Sequence, residues 1–277
     1  MATWLITGCS TGLGHALAQE VLGRGHNAVV TARNPSAIQA LVDAHPETAL
    51  SVALDVTDPA HVIEAVERAA ARFGPIDVLV NNAGYGYRAA VEEGDEADVR
   101  QLFDTNLFGA VAMIKAVLPG MRARHTGTIV NISSIGARAC PAGSGYYSAS
   151  KAALEAMTSA LRKEIQPLGL TAMSVEPGAF RTDFAGRSLT QSAEVIADYA
   201  ETAGKRRKEN DDAHGMQPGD PARAASALVD VVCSDKAPEL LVLGPDALER
   251  LRSVMDGQHA EIEAWEHVST STDFERS

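Results

Sequence analysis

Cysteine is scarce in this chain: Cys9, Cys140 and Cys233 are the three among 277 residues, far apart and in no metal-ligand spacing. They fit a reducing compartment, where thiols persist unpaired. Eight histidines form no H-E-x-x-H and no paired cluster, so no protein-bound catalytic metal is expected. Positive charge is also short, 24 Lys and Arg against 36 Asp and Glu, for a net charge of -12. An acidic surface repels nucleic acid and anionic membranes, which leaves solubility as its plain role. The one basic cluster, Lys205-Arg206-Arg207-Lys208, is followed by Glu209 and Asp211-Asp212 and reads as a solvated face. No apolar run approaches membrane-spanning length, so no membrane association is expected. Met1-Ala2-Thr3 leads straight into Trp4-Leu5-Ile6-Thr7 without room for a signal peptide, and a cytoplasmic protein is expected.

What the chain does have is alternation. Short apolar runs at 4–7, 28–32, 50–54, 78–80, 128–132, 171–175 and 240–243 read as strands. Several are apolar at successive positions, as strands buried on both faces are. Helical patterns at 13–22, 59–73, 98–122, 147–166 and 221–233 separate them. The expected fold is α/β: a Rossmann-type, doubly wound parallel sheet of about seven strands in a three-layer α/β/α arrangement. One domain over 1–277 is expected. The rhythm breaks at a flap (about 180–219) and at a C-terminal helical extension (about 246–277) carrying Leu248, Leu251, Val254, Met255, Ile262 and Trp265. Long insertions at the carboxyl end of a sheet commonly wall a substrate site, and Phe180, Phe184, Leu189, Ile196 and Tyr199 suit a partly apolar wall.

Gly8, Ser10, Thr11, Gly12, Leu13 and Gly14 join the first strand to the first helix. Glycines there permit a tight turn and let backbone amides approach a pyrophosphate at the helix N-terminus. The loop lacks the Gly-Lys-Ser/Thr ending of a nucleoside-triphosphate loop. The second strand ends at Ala32-Arg33. An acidic residue there would suit the ribose hydroxyls of NAD, whereas Arg33 can take a 2′-phosphate, so NADP (NADPH) is favoured and NAD remains possible.

Tyr147 and Lys151 stand four residues apart on one predicted helix and share a face. Tyr146 meets Ser150 at that spacing, which supplies no charge. An ammonium beside a phenol favours the phenolate and makes the pair usable for proton transfer near neutrality.

Thr7-Gly8-x-x-x-Gly12-x-Gly14, Asn81-Asn82-Ala83-Gly84, Asn106, Ser134, Tyr147-x-x-x-Lys151 and Pro177-Gly178 occur in that order over roughly the first two thirds of the chain. In this the sequence resembles the short-chain dehydrogenase/reductase family in its ordinary-length form. More loosely, it resembles bacterial oxidoreductases related to the 17β-hydroxysteroid dehydrogenases. The resemblance implies a catalytic set of Asn106, Ser134, Tyr147 and Lys151, with Ser134 at the family's thirteen-residue offset before the tyrosine and Ser133 structural. It implies cofactor contacts from the glycine turn, from Asp55 and Val56 at the adenine, and from Asn82, Ala83 and Gly84 along the groove. Pro177, Gly178 and Thr182 would flank the nicotinamide, and Tyr147 and Lys151 would also touch the cofactor, with Lys151 lowering the Tyr147 pKa. The implied substrate is a small carbonyl or alcohol compound. Dimers or tetramers would form through the helices at 98–122 and 147–166. A catalytically silent NADP-binding regulatory or scaffold protein on the same fold is the alternative. An extended-type epimerase fits poorly, because its glycine spacing differs and the substrate domain here is too small.

Overall fold

The computed structural model describes residues 1–274 except 187, 213, 214 and 235, and omits the side chains of 185 and 210–212. Seven parallel strands form the central sheet: β1 (Thr3–Ile6), β2 (Asn27–Ala32), β3 (Ala49–Ala53), β4 (Val78–Asn81), β5 (Thr128–Ile132), β6 (Thr171–Pro177) and β7 (Leu240–Leu243). Their order across the sheet is β3-β2-β1-β4-β5-β6-β7. The winding reverses between β1 and β4, where Trp4 pairs with Val78 and Ile6 with Val80. The carboxyl ends of strands flanking such a reversal form the ligand crevice of open α/β sheets.

Alternation along each strand builds two cores. Trp4 and Ile6 of β1 pack with α1 (Gly12–Gly23), the short α2 (Gln39–Ala44) and α6 (Pro221–Val232). Leu5, between them, packs on the opposite face with α3 (Pro59–Phe73), α4 (Glu96–Arg124) and α5 (Gly145–Ile165). Each Leu, Ile or Val removed from water in this way contributes roughly 1.5–3 kcal/mol. Polar residues punctuate the helices. Asp58 caps α3 by accepting from the Ala60 amide at 2.8 Å, with Pro59 at the first helical position. Asp220 does the same for Ala222 at the start of α6.

All seven expected strands form, whereas several helices differ from the pattern. α2 is absent from the periodicity because Gln39–Ala44 spans only six residues, less than two turns. α4 runs further at both ends than 98–122 and changes to π geometry over Asp104–Gly109. By length and composition α4 could cross a membrane. Its Leu102, Met113, Ile114, Val117 and Met121 are instead buried within the protein. The extension is one long helix, α7 (Pro245–Thr270), in which Ala247 is the buried residue.

A parallel bridge joins Phe180 and Gly219. Within the flap Leu189–Gln191 pairs with Gly86–Arg88, a two-stranded sheet too short to be read from the sequence. The basic cluster corrects an expectation. Arg207 is 11% exposed and forms an ion pair with the buried Glu93, so it anchors the flap rather than facing solvent. Glu93 Oε2 also accepts from the Ala90 amide, and Oε1 accepts from the Ile196 amide at 2.9 Å. Ser192 Oγ donates to the Glu93 carbonyl.

Candidate active site

The glycine turn sits at the β1–β4 reversal. Gly8 and Gly12 have φ of 72° and 64°, a region disfavoured for other residues. Asn82, at the end of β4, locks the turn: its Nδ2 donates to the Thr7 carbonyl at 2.9 Å and the Gly8 carbonyl at 3.0 Å. Thr7 Oγ1 returns the bond by accepting from the Asn82 and Ala83 amides, both at 2.9 Å. Thr11 is the N-cap of α1, its side chain makes no capping bond, and no acidic residue lies in the first turn. Uncapped amides at a helix N-terminus, beside a backbone free of side chains, suit a pyrophosphate.

Gly14 abuts this arrangement: a Cβ there would collide with Asn82 Nδ2 and lie 2.5 Å from the Gly8 carbonyl. Gly14→Ala is expected to destabilise by about 1–3 kcal/mol through overpacking and to abolish dinucleotide binding. Thermal unfolding and cofactor fluorescence titration measure both, and unchanged binding would remove the turn from the cofactor site.

The remaining implied cofactor residues border the same crevice. Ser10 is exposed at the turn, while Leu13 is half-buried beside it. Arg33 is exposed at the end of β2, and its charge helps hold the Asp55 carboxyl below its usual range. The backbone amide of Thr57 bonded to Asp55 is the largest cause of that shift, and burial opposes it. Val56 is buried against Gly109 of α4. Thr182 lies over the glycine turn, its Cβ 3.4 Å from where a Gly12 Cβ would stand. Pro177 ends β6, and the Gly178 amide donates to the Leu243 carbonyl at 2.8 Å.

The implied catalytic residues converge across the crevice. Tyr147 hydrogen-bonds Ser134, and a Cβ on Gly136 would lie 3.2 Å from Ser134 Oγ and 3.4 Å from the Tyr147 ring. Phe184 of the flap packs on that ring at 5.8 Å between centroids. Asn106 lies in the π segment of α4, a distortion that recurs at functional sites. Its Nδ2 donates to the Tyr85 carbonyl at 2.9 Å and to Ser150 Oγ at 3.1 Å. A Cβ on Gly84 would come within 2.9 Å of Asn106 Oδ1 and 3.2 Å of Lys151 Nζ. Glycine therefore keeps the β4 turn clear over both groups.

Lys151 Nζ donates to the Ile132 carbonyl at 2.9 Å. Burial brings its pKa down to about 8, against the opposing pull of Glu155. Tyr147 differs from the sequence expectation. Burial pushes its pKa up to about 12, more than the Ser134 hydrogen bond lowers it. Desolvation of the phenolate outweighs any help from Lys151. The phenol is thus held neutral at physiological pH, as a proton donor must be.

The two adjacent tyrosines separate cleanly. Tyr146 Oη donates to the Val91 carbonyl at 2.6 Å, and its ring packs on Tyr87 and against Gly94. The serines separate as well: Ser133 Oγ turns away from Tyr147 to donate to Glu155 Oε1 at 2.5 Å. Sequence reasoning missed three supporting residues. Ser150, set aside for lacking charge, accepts from Asn106 and donates to the Tyr147 carbonyl at 2.8 Å. Asn131 accepts from Asn81 and donates to Thr158, each at 2.8 Å, tying β4 to β5 and α5. Asp246 at the head of α7 accepts from the Ala179 amide at 2.8 Å and holds the turn after β6.

A doubly wound sheet with a glycine turn at its reversal and a Ser–Tyr–Lys–Asn set opposite defines a dinucleotide-dependent oxidoreductase. Comparison with known proteins places it further. Residues 2–193 match the sequence profile of short chain dehydrogenases. The chain is 36% identical over 270 residues to Oxidoreductase BOA17 of Botryotinia fuckeliana, covering 97% of this chain and 98% of the relative. A crystal structure of a short-chain dehydrogenase from Streptomyces avermitilis superposes with a TM-score of 0.92 at 41% identity, covering 99% of this chain and all 100% of the other. At 22% identity, a short-chain dehydrogenase/reductase from Burkholderia phymatum in complex with NAD shares the fold, with a TM-score of 0.82 over 95% of this chain and 94% of its own. The chain belongs to the short-chain dehydrogenase/reductase family, as an enzyme acting on CH–OH or C=O groups. These matches carry the family and not the looser resemblance to 17β-hydroxysteroid dehydrogenases.

Proposed function

We propose that this protein is an NADP-favouring oxidoreductase that interconverts a carbonyl compound and its alcohol, with Tyr147 as proton donor. The observation that carries this reading is the convergence of Ser134, Tyr147, Lys151 and Asn106 beside the uncapped N-terminus of α1. The site fits a nicotinamide dinucleotide: the Gly8–Gly14 turn would hold its pyrophosphate, Asp55 and Val56 its adenine end, and Pro177, Gly178 and Thr182 its nicotinamide end. When bound, the cofactor supplies or accepts the hydride.

The chain's own residues handle the proton and the developing charge. Tyr147 Oη, neutral at physiological pH, gives its proton to the substrate oxygen. Ser134 Oγ, already oriented on Tyr147, hydrogen-bonds the same oxygen as charge develops, and does so best in a site sheltered from water. Lys151 opposes the charge left on Tyr147. Lys151 then returns a proton to the Tyr147 phenolate, and Asn106, held by Tyr85 and Ser150, presents the polar face through which solvent restores the proton of the lysine. Phe184 packs against the tyrosine ring from the flap side. The alternative of a silent scaffold is not favoured, because the chain's relatives are oxidoreductases and its sequence lacks none of the proposed catalytic residues.

Arg33 supports the preference for NADP, since it is exposed at the end of β2 beside Asp55. NADPH is expected to bind at least about tenfold more tightly than NADH, the scale of one charge-assisted contact. Arg33→Ser is expected to remove most of that difference. A panel of ketones and aldehydes run with both cofactors tests both points. Equal affinity, or preference for NADH, overturns the role of Arg33, and no turnover with either cofactor overturns the enzymatic reading of the site.

A further inference from the structure

We propose that Arg138, Glu155 and Glu176 form a clamp beneath the reaction centre that positions the three segments bearing Ser134, Tyr147–Lys151 and Pro177–Gly178, with Glu155 setting the charge that faces Lys151. The inference rests on the catalytic reading above and adds positioning residues to it. Each carboxylate belongs to a different limb of the site. Glu155 lies one helical turn beyond Lys151 on α5, and Glu176 directly precedes Pro177 at the end of β6. Arg138 lies in the short helix Gly136–Ala139, which follows Ser134.

One guanidinium nitrogen joins the two acids. Arg138 Nε lies 2.9 Å from Glu155 Oε2 and 2.9 Å from Glu176 Oε1. The other oxygen of Glu155 accepts from Ser133 at 2.5 Å, and Ser133 is the neighbour of Ser134. Ser133 Oγ also lies 3.4 Å from the Lys151 carbonyl. Four polar contacts therefore cross-link β5, α5 and β6 immediately under the residues that meet substrate and cofactor.

The charge balance gives the clamp a second role. The Glu155 side chain is 8% exposed and that of Glu176 is fully buried, while Arg138 is the cation between them. Glu176 Oε2 has no hydrogen-bond partner among the described residues. Two buried carboxylates share the one guanidinium, an arrangement relieved when one acid keeps its proton. Burial first, and Glu176 in addition, push Glu155 up to about 7. The charged groups around Glu155 are Arg138, Glu176, Lys151 on its own helix, and Glu239, which shares with it an open cavity of about 530 Å³. That cavity, lined also by Ser159 and Ser174, gives protons a route to Glu155 from outside the substrate crevice. Ionised Glu155 favours the Lys151 ammonium, so the charge on the clamp is felt at the catalytic lysine.

The test pairs Glu155→Gln, which keeps the shape and a bond to Ser133, with Glu176→Gln, which removes the competing acid. Thermal unfolding against pH needs no substrate. The raised Glu155 pKa makes its contribution to stability fully present below the unfolded value of about 4.3 and lost as pH rises through the folded value near 7. Wild type is expected to lose stability across that window, Glu155→Gln to lack this loss, and Glu176→Gln to show it at lower pH. With the best carbonyl compound from the panel above, Glu155→Gln is expected to lower the alkaline limb of the kcat/KM profile by about half a pH unit while binding NADPH within about twofold of wild type. An unfolding profile unchanged in both variants, or a kcat/KM profile that superimposes on wild type, overturns the clamp. Absence of turnover in wild type sinks the catalytic reading instead, while the unfolding curves still judge the charge cluster. If Glu155→Gln does not fold, the Glu176→Gln displacement alone decides.

Discussion

Tyr147→Phe is expected to reduce turnover by about 10²–10⁴-fold, the usual contribution of a positioned proton donor, while leaving NADPH binding and thermal stability near wild type. The phenol is half-buried, hydrogen-bonded to Ser134 and packed against Phe184, so removing its oxygen deletes the donor without opening a cavity. Tyr146→Phe is the matched control. It loses one hydrogen bond, to the Val91 carbonyl, and is expected to cost about 1 kcal/mol in stability with kcat little changed. Steady-state kinetics of both variants settle the assignment, and the reverse pattern would transfer the donor role to Tyr146. The raised Tyr147 pKa adds a directional expectation. In carbonyl reduction the phenol stays neutral up to alkaline pH, so the alkaline limb belongs to Lys151, lowered to about 8, whereas alcohol oxidation, which needs the phenolate, increases as pH rises.

Glu93→Ala is expected to destabilise the protein by about 3–5 kcal/mol, the loss typical when one partner of a buried ion pair is removed. Arg207 would be left nearly buried and unpaired, and the Ala90 and Ile196 amides would lose their acceptor. Because Glu93 holds the flap at Ser192, Ile196 and Arg207, KM for substrate is expected to rise together with the loss in melting temperature. Burial alone would raise the Glu93 pKa, but the Ile196 and Ala90 amides and the Arg207 guanidinium outweigh it and hold the carboxyl below its ordinary value. The anchor's contribution is therefore present above the unfolded carboxyl value of about 4.3 and is lost as pH falls through the lower folded value. Calorimetry of Glu93→Ala against wild type checks this. Equal melting temperatures at neutral pH would show that the flap does not hang on Glu93.

The two predictions differ in how far the sequence foreshadows them. Tyr147 and Lys151 stand four residues apart on α5, so the sequence by itself places them on one helix face. Glu93 and Arg207 are 114 residues apart, and nothing local to Lys205–Lys208 distinguishes the arginine that turns inward from those beside it. Arg138 and Glu176, 38 residues apart, meet because β5 and β6 are adjacent in the sheet. Asp246 reaches the turn after β6 across 67 residues of chain, since β7 brings the head of α7 back to that turn. The direction of the Tyr147 shift was equally illegible. Spacing places an ammonium near the phenol but says nothing of how much water the fold removes, and that desolvation is the larger effect.

By itself, then, the amino-acid sequence determined what depends on local period and local backbone freedom. That covers the seven strands, the glycine turn and the shared helix face of Tyr147 and Lys151. Tertiary structure alone decided the quantities that depend on burial and on contacts between distant segments. These are the neutral phenol, the lowered lysine, the inward turn of Arg207 and the raised carboxyl of Glu155. The physical reason is that side-chain period is written along the chain, whereas desolvation and ion pairing exist only once the sheet has brought its limbs together.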